Sequence, residues 1–432
     1  MHRGALLSIN APRHASTGIG KTLGGESGIR THGELAPTAV FKTAALNHSA
    51  ISPCASPAYG GNRNLCKRDS LWGFMLAWAC ASVANMRGIS KSLTLLGTAL
   101  ALLLGGVPAT PAHAQDDAGF QSFLGQLRVQ ARARGVSEAT LDSVLPTLTL
   151  NQRVIDLDRQ QPGNPASTAT PPYAPYRIAH VDAQRISRGR SAYQAQRWRL
   201  RKIEEETGVP ESIMVAIWGN ETNYGVVMGG FDLPRALASL AYEGRRRDLF
   251  TGEFISALIM IDHGVPRAKL MGSWAGATGG PQFLPSVYNR LARDGDGDGR
   301  ADIWTSDADT LASIGNYFAN AGWRRGQPWG VAVDVPVGFD RSQVVNRLVS
   351  PRCPRVFQRH SGWKTIAEWR ALGITPQSRA LPADSVLATL IEPDGAGNTA
   401  YLLTGNYRVI LDYNCSNFYA LSVGLLSDAV SQ

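Results

Sequence analysis

The chain has 432 residues, a formal net charge of +9 and 5 cysteines. A chain of this length can bury a large core without covalent cross-links, which excludes a small disulfide-stapled scaffold. The length leaves room for two or three domains. The spacing of apolar residues predicts an α+β fold that is predominantly helical, as the segments below indicate in turn.

Residues 86–114 have the pattern of a secretory signal peptide. Arg87 and Lys91 supply the positive start, residues 93–107 form an apolar run of 15 residues, and Ala112-His113-Ala114 offers a small-residue cleavage site. The apolar run is too short to cross a bilayer comfortably. We therefore expect an exported, periplasmic protein.

A signal peptide normally begins at the start of translation, whereas this one begins at Met86. The simplest interpretation is that Met86 is the true start and that residues 1–85 are a non-native extension from a misassigned start site. The alternative is a genuine cytoplasmic extension, with residues 71–80 as part of a membrane anchor.

Three segments follow the signal peptide. Residues 115–176 combine helical periodicity with a Pro-rich connection, residues 177–335 are helical with glycine-rich interruptions, and residues 336–432 form a C-terminal α/β segment. A closing helix is predicted over Phe418–Val430. Before it, β-type runs separated by turn residues predict three strands: Val386–Ile391, Thr399–Leu403 and Tyr407–Leu411.

Basic residues are dense between residues 185 and 202, where Tyr193 and Trp198 are interleaved with them. Such a stretch can bind nucleic acid. A solvated helix face is the commoner meaning of the pattern, and for an exported protein the polyanionic partner is the cell envelope. We therefore predict no nucleic-acid partner.

Glu221 is the candidate catalytic residue. The pattern predicts a helix that starts at Pro210 and ends near Gly225, and the spacing of four places Ile213, Ile217 and Glu221 on one apolar face. Desolvation there favours the protonated carboxyl group, which a general acid needs. The alternative is a buried glutamate paired with an arginine, and periodicity alone favours that alternative.

A glycine-rich polar loop, Gly272–Pro285, follows further along the chain. Its glycines permit close approach of the backbone to a sugar ring. The alternative is a tight packing turn between helices. A lone glutamate in apolar surroundings, followed by such a loop, is typical of a glycan-cleaving site.

The segment 217–225, Ile-Trp-Gly-Asn-Glu-Thr-Asn-Tyr-Gly, and the loop 272–285 together resemble the lytic murein transglycosylase B family, and the resemblance covers residues 117–432. It implies a lysozyme-like catalytic core with a small C-terminal β element. It also implies that Glu221 protonates the β-1,4 linkage oxygen between N-acetylmuramic acid and N-acetylglucosamine of peptidoglycan. Glu221 then acts as base on the 6-hydroxyl, which closes a 1,6-anhydro ring without water.

Two rival functions fit the same scaffold. One is a hydrolytic muramidase, and the other is a non-catalytic peptidoglycan-binding protein. The glycan strands of peptidoglycan are the expected partner in each case, and association with the cell-wall synthesis machinery stays open.

The resemblance also implies roles for residues outside the helix of Glu221. It places the Ser273 hydroxyl near the reacting acetamide, and it matches Arg245 and Arg246 to an arginine pair that faces the substrate. A solvated helix start is the alternative for the arginines, and structural tyrosines are the alternative for the aromatic residues. The remaining matches, expected to line or border the glycan groove, are Gln282, Phe283, Tyr413, Asn414, Tyr419 and, more loosely, Tyr176.

Residues 294–302 fit the first half of an EF-hand calcium loop, and some members of the resembling family bind a cation here. The twelfth position is Thr305 rather than glutamate, so the ligand set is incomplete unless Asp307 reaches in. The alternative is a polar Asp-Gly turn. We expect any calcium to be structural, with no cofactor required for catalysis. The candidate ligands are Asp294, Asp296, Asp298, Arg300 through its carbonyl, and Asp302.

Only Cys353 and Cys415 lie beyond the signal peptide. In an oxidising compartment the two thiols favour a disulfide. Two separate buried thiols are the alternative, because spacing alone does not show that the residues are close. Neither cysteine has a histidine beside it in the sequence, which argues against a catalytic thiol.

Overall fold

The computed structural model describes residues 112–161 and 171–432, with side chains from residue 117 onward. The predicted extension 1–85 and almost all of the predicted signal peptide 86–114 lie outside the described residues. Within the described residues, none of the helices combines the length and the apolar character that crossing a membrane requires.

Three N-terminal helices pack on two central ones. They are α1 (Ala112–Ala133), α2 (Glu138–Val144) and α3 (Gln152–Arg159), and their partners are α8 (Leu233–Glu243) and α9 (Arg247–Asp262). Phe120, Leu127 and Phe254 are fully buried in the core between the two groups. Polar contacts reinforce this packing, because the Asp262 carboxylate accepts hydrogen bonds from the Ser137 amide at 2.9 Å and the Ser137 hydroxyl at 2.6 Å.

The helix that carries Glu221, α7 (Glu211–Thr222), lies at the centre of a second core. Ten of its 12 residues are buried, so the helix is enclosed on all sides rather than on the single apolar face expected from its spacing. Pro210 is its N-cap residue, and the helix ends at Thr222, before Gly225. The helices around it are α4 (Ala174–His180), α5 (Ala183–Ala195), α6 (Arg197–Thr207), α10 (Pro285–Leu291) and α11 (Asp307–Asn320).

The C-terminal segment contributes a five-stranded antiparallel sheet. Two of its strands, β6 (Leu387–Ile391) and β7 (Ala400–Leu403), confirm two of the predicted β-type runs. A two-residue ladder, β1 (Phe231–Asp232) with β2 (Met271–Gly272), joins the central region to the glycine-rich loop. The sheet has the order β4–β6–β7–β3–β5, with strands β3 (Gly330–Asp334), β4 (Lys364–Thr365), β5 (Thr375–Pro376), β6 (Leu387–Ile391) and β7 (Ala400–Leu403), and short helices α12 (Pro354–Phe357) and α13 (Ile366–Ala371) accompany it.

The prediction of a third strand over Tyr407–Leu411 is wrong, because these residues lie in helix α14 (Gly405–Tyr413). Thr404 caps the helix by accepting a hydrogen bond from the Asn406 amide at 3.1 Å. Thr404, Gly405 and Asn406, which were predicted to form a turn between two strands, therefore start a helix. Tyr407, Ile410 and Leu411 are buried together at a spacing of three and four, which fits a helix as well as a short apolar strand.

The closing helix α15 (Asn417–Val430) confirms the helix predicted over Phe418–Val430. It packs directly on α7, where the Ser212 and Ser427 hydroxyls are 2.8 Å apart. Leu421 and Leu426 are fully buried, whereas Leu425 is only partly buried. The central and C-terminal segments consequently share one hydrophobic core, which brings the end of the chain to the helix of Glu221.

A disulfide joins Cys353 to Cys415, with a Cα–Cα distance of 5.9 Å. Cys415 lies in the short connection between α14 and α15. The bond therefore fixes the segment before α12 to the connection from which α15 starts.

Gly424 provides a test of the packing between α15 and the sheet. A Cβ atom on Gly424 would lie 2.4 Å from the Trp329 ring, whereas one on Gly252 in α9 would meet only Arg134, at 3.9 Å. We expect Gly424→Ala to lower the free energy of unfolding by about 1–3 kcal/mol through overpacking. Gly252→Ala, the matched control, should raise it by about 0.5–1 kcal/mol, because alanine is the better helix former. Urea denaturation measures both, and equal effects would contradict the described packing.

Candidate active site

Glu221 lies in the last turn of α7, next to a strained turn. The residues that follow, Asn223, Tyr224 and Gly225, have φ angles of 51°, 61° and 81°. Left-handed backbone is unfavourable for the first two, and such conformations persist where the surrounding structure imposes them. Thr222 helps to impose this one, because its hydroxyl oxygen accepts a hydrogen bond from the Gly225 amide at 3.0 Å.

Gly219 explains how Tyr224 fits against the helix. A Cβ atom at Gly219 would lie 2.5 Å from Tyr224 Cζ, so the absence of a side chain makes room for the ring. The Tyr224 hydroxyl donates to the Arg185 carbonyl at 3.0 Å, and the ring packs edge-on against Trp218. The glycine two residues before Glu221 therefore supports the turn that ends the helix.

The Glu221 side chain is buried and is held by a tyrosine from the other end of the chain. Glu221 is 6% exposed, and its Oε1 atom accepts a hydrogen bond from the Tyr419 hydroxyl at 2.8 Å. The two residues are separated by 198 positions, and the packing of α15 on α7 brings them together.

Tyr176 and Tyr413 complete the group of tyrosines near Glu221. Burial first, and then the Glu221 charge, raise the pKa of Tyr176 to about 12 and raise the pKa values of Tyr413 and Tyr419 well above the usual range. All three phenols are thus protonated at neutral pH. Tyr176 was expected in an extended connection, but it lies in α4, where its ring stacks on His180 at 3.7 Å between centroids.

The glycine-rich loop is attached to the same site by hydrogen bonds to its backbone. The Thr222 hydroxyl donates to the Gly280 carbonyl at 3.1 Å, and the Tyr413 hydroxyl donates to the Pro281 carbonyl. Gly280 has no room for a side chain, since a Cβ atom would lie 2.5 Å from the Thr310 hydroxyl. Around Gly280 and Pro281 the loop is therefore the tight packing turn given above as the alternative. The same part of the loop contacts Thr222, the residue after Glu221.

Gln282 and Ser273 both use their side chains to shape the loop. Gln282 has a φ of 50°, and its amide nitrogen donates to the Gly279 carbonyl at 2.9 Å and the Met228 carbonyl at 3.2 Å. The Ser273 hydroxyl oxygen accepts a hydrogen bond from the Ala277 amide at 3.0 Å. Contact of either residue with a substrate stays a prediction.

Phe283 and Asn414 are buried. Phe283 is fully enclosed, with its ring 5.9 Å from that of Tyr317 and 6.3 Å from that of Tyr413. Its position is therefore in the core beneath the loop rather than on an open groove wall. Asn414 is the C-cap residue of α14, one residue before the disulfide.

Arg245 and Arg246 contact an acidic residue that the sequence interpretation missed. Asp158, which is 1% exposed, accepts a hydrogen bond from Arg245 Nε at 2.9 Å and also forms an ion pair with Arg246. The Arg246 guanidinium lies over the Phe250 ring at 4.8 Å. The alternative, in which both arginines are merely solvated at the start of a helix, does not describe them, because each forms an ion pair with Asp158. A substrate-facing role for them stays a prediction, and Asp158 sets their orientation.

The predicted cation loop brings together a different set of carboxylates from the one expected. Oxygen atoms of Asp294, Asp296 and Asp309 lie within 4.8 Å of one another. Asp302 instead forms an ion pair with Lys269, and Asp307 accepts a hydrogen bond from a glutamine at 3.3 Å. Asp309 lies in the first turn of α11, beyond the twelve-residue pattern, so a loop motif alone could not identify it.

Comparisons with known proteins show which family the chain belongs to. The family model described as "Transglycosylase SLT domain" matches residues 119–428. The chain is 32% identical over 279 residues to membrane-bound lytic murein transglycosylase B of Escherichia coli (strain K12), covering 62% of this chain and 71% of that protein.

Solved structures are similar as well. SltB3 from Pseudomonas aeruginosa, in complex with NAG-anhNAM-pentapeptide, is 36% identical with a TM-score of 0.65, covering 72% of this chain and 79% of that one. Escherichia coli Slt35, in complex with calcium, is 28% identical with a TM-score of 0.58, covering 73% of this chain and 93% of that one.

The hydrogen bond from Tyr419 to Glu221 can be tested by removing one oxygen atom. Tyr419→Phe should lower the rate of any reaction that depends on Glu221 by about tenfold or more, because a hydrogen bond to a charged group contributes about 1.5–3 kcal/mol. Tyr288→Phe is the matched control, since it also removes one hydrogen bond, to the Ala301 carbonyl at 2.8 Å. Glycan-strand cleavage kinetics measure both variants, and equal rates would contradict a role for Tyr419.

Proposed function

We propose that Glu221 is the catalytic acid and base, because this chain belongs to the transglycosylase SLT domain family. The relatives named above are lysozyme-like lytic murein transglycosylases. Membership confirms the predicted family, the mainly helical α+β class and the prediction of a peptidoglycan-cleaving enzyme. The observation that carries the assignment of Glu221 is its buried carboxyl group at the end of α7, hydrogen-bonded to Tyr419 at 2.8 Å.

In the first step Glu221 donates its proton to the oxygen that links N-acetylmuramic acid to N-acetylglucosamine. The bond between that oxygen and C1 of the muramic sugar breaks, and the N-acetylglucosamine side leaves as an alcohol. The acetamide oxygen of the muramic sugar stabilises the positive charge at C1. Burial supports this role because desolvation disfavours the charged form of a carboxyl group.

In the second step the Glu221 carboxylate accepts the proton of the muramic 6-hydroxyl, whose oxygen bonds to C1. The product carries a 1,6-anhydro ring, Glu221 is protonated again, and no water is consumed. The Tyr419 hydroxyl stabilises the carboxylate between the two steps, since it donates to the charged form. Ser273 and Asn414 assist this chemistry, and the arginine pair and the aromatic residues hold the strand.

The two rival functions differ from this proposal in what happens at C1. In a hydrolytic muramidase, water attacks C1 and leaves a reducing end. In a non-catalytic binding protein, no bond breaks at all. The hydrogen bond from the Tyr419 hydroxyl to the buried Glu221 carboxyl group supports an active site over a degenerate one.

The proposal includes the location and the partners of the protein. Complexes of relatives with NAG-anhNAM-pentapeptide and NAG-NAM-pentapeptide support glycan strands of peptidoglycan as the substrate. Such a substrate, together with the signal pattern of residues 86–114, supports export to the periplasm. Association with the cell-wall synthesis machinery is also part of the proposal.

Calcium is the proposed structural ion of the loop 294–302. The carboxylates of Asp294, Asp296 and Asp309 converge, and hard oxygen ligands suit calcium. Asp309 is fully buried and already orders the loop, because it accepts hydrogen bonds from the Gly295 amide at 2.8 Å and the Asp302 amide at 2.6 Å. Asp298 and the Arg300 carbonyl would complete the ligand set, and Slt35 has been solved with calcium.

Replacing Glu221 tests the catalytic assignment. Glu221→Gln keeps the size of the side chain but removes the transferable proton, so cleavage of purified sacculi should fall by at least about a thousandfold. Glu211→Gln is the matched control, since Glu211 is 8% exposed at the other end of the same helix. Muropeptides are quantified by mass spectrometry. Undiminished cleavage by Glu221→Gln would refute the assignment.

The products distinguish the proposal from hydrolysis. Wild-type digestion of sacculi should give strands that end in 1,6-anhydro-N-acetylmuramic acid, because the 6-hydroxyl rather than water attacks C1. Mass spectrometry separates these ends from reducing ends by the mass of one water molecule. Predominantly reducing ends would instead favour the hydrolytic muramidase.

Calcium binding is tested by thermal denaturation. At about a hundred times its Kd, calcium should add about 2.7 kcal/mol of stability and raise Tm by about 5 °C. Asp296→Asn should abolish the increase because it removes a carboxylate of the converging group. Asp307→Asn, outside that group, should keep it. An unchanged Tm at millimolar calcium would contradict the proposal.

A further inference from the structure

A cavity with a volume of about 390 Å³ lies on the C-terminal segment, beside α14. We call it the Arg408 pocket. Its rim is unusually apolar for a surface, because Leu348 is 68% exposed and Val349 is 83% exposed. None of its lining residues is among those assigned to the site around Glu221. The lining includes Asn346, Leu348, Val349, Phe357, Trp363 and Arg408.

The base of the pocket is a guanidinium group held between two aromatic rings. Arg408 Cζ lies 3.9 Å from the centre of the Phe357 ring and 4.8 Å from the centre of the Trp363 ring. Burial lowers the pKa of Arg408 to about 10, so the group remains charged at neutral pH. The rings hold the plane of the guanidinium fixed without using its N–H donors.

Two of the three guanidinium nitrogen atoms lack acceptors within the described part of the chain. Arg408 Nε and Nη1 are buried, and among residues 117–161 and 171–432 neither has a hydrogen-bond partner. Asp412, one turn further along α14, forms its ion pair with Arg352 instead, at 3.2 Å. Buried unpartnered donors on a charged group are unfavourable, and a native structure that keeps them calls for an explanation.

The other two polar side chains of the lining, Asn346 and Ser350, already have hydrogen-bond partners, and the Ser350 hydroxyl donates to the Arg352 carbonyl. The Asn346 side chain donates to the Phe357 carbonyl at 2.9 Å and accepts from the Leu348 amide at 3.0 Å. It therefore shapes the rim rather than competing for a ligand. The Cys353–Cys415 disulfide ties the same segment to the connection after α14, which keeps the rim close to Arg408.

We propose that the Arg408 pocket binds the C-terminal carboxylate of a peptidoglycan stem peptide, with the methyl group of its terminal alanine against Leu348 and Val349. A planar guanidinium matches a carboxylate, and the apolar rim matches a small aliphatic side chain. The choice of a stem peptide rests on the proposed function. The pocket would thus recognise stem peptides that keep their terminal alanine, in addition to the recognition of the glycan strand by the site around Glu221.

Binding of a sugar-free peptide tests the pocket independently of catalysis. The probe is diacetyl-lysyl-D-alanyl-D-alanine, compared by isothermal titration with its C-terminal amide and with acetate. We expect the acid to bind at least about tenfold more tightly than the amide, since one charge-assisted contact is lost. Acetate should bind more weakly than the peptide acid, because it cannot fill the apolar rim.

Variants identify the residue responsible. Arg408→Met keeps the length of the side chain but removes its charge, and it should abolish the preference for the acid. Arg347→Met is the matched control, since Arg347 is an exposed neighbour of the rim that does not line the pocket. Equal affinities for acid and amide in the wild type, or no binding at about 10 mM, would overturn the proposal without any variant.

Cleavage kinetics separate this inference from the proposed function. In Arg408→Met, KM should rise by about tenfold for strands with pentapeptides, while peptide-free strands should be cleaved as by wild type. An equal effect on both substrates would overturn the role of the pocket. If the wild type cleaved neither substrate, the proposed function would fail. The peptide titration would still show whether the Arg408 pocket binds the terminal carboxylate.

Discussion

The hydrogen bond between Tyr419 and Glu221 is the interaction on which the candidate site depends. A carboxyl group buried at the end of α7 needs a donor when it carries charge, and the structure supplies one from α15 rather than from a neighbouring turn. The packing of α15 on α7 is therefore a requirement of the chemistry as well as of the core. The same packing explains why the central and C-terminal segments share one core.

The turn after Glu221 shows a second constraint. Successive left-handed residues, Asn223 and Tyr224, are retained because Gly219 makes room for the tyrosine ring and Thr222 links the turn to the Gly280 carbonyl. One hydroxyl, that of Thr222, thus connects the helix end, the turn and the loop. Small changes at any of the three would move Glu221, since all of them share these few contacts.

Much of the site could be predicted from the sequence, but not all of it. The helix of Glu221 and the loop 272–285 have short, specific signatures that predicted the family, and the structure joins the two through the hydrogen bond from Thr222 to the Gly280 carbonyl. Asp158 and Asp309 were missed because each acts through packing between elements distant in the chain, which no local pattern records. Residues 407–411 were read as a strand because a short buried run has the same apolar spacing in both structures.

The separation of Glu221 from its hydroxyl donor by 198 residues has a consequence for biosynthesis. A chain interrupted between α7 and α15 contains the acidic side chain but not the phenol that donates to it, nor the helix that packs on α7. The contacts of the Glu221 carboxyl group are therefore complete only after the last helix has been synthesised and has packed on α7.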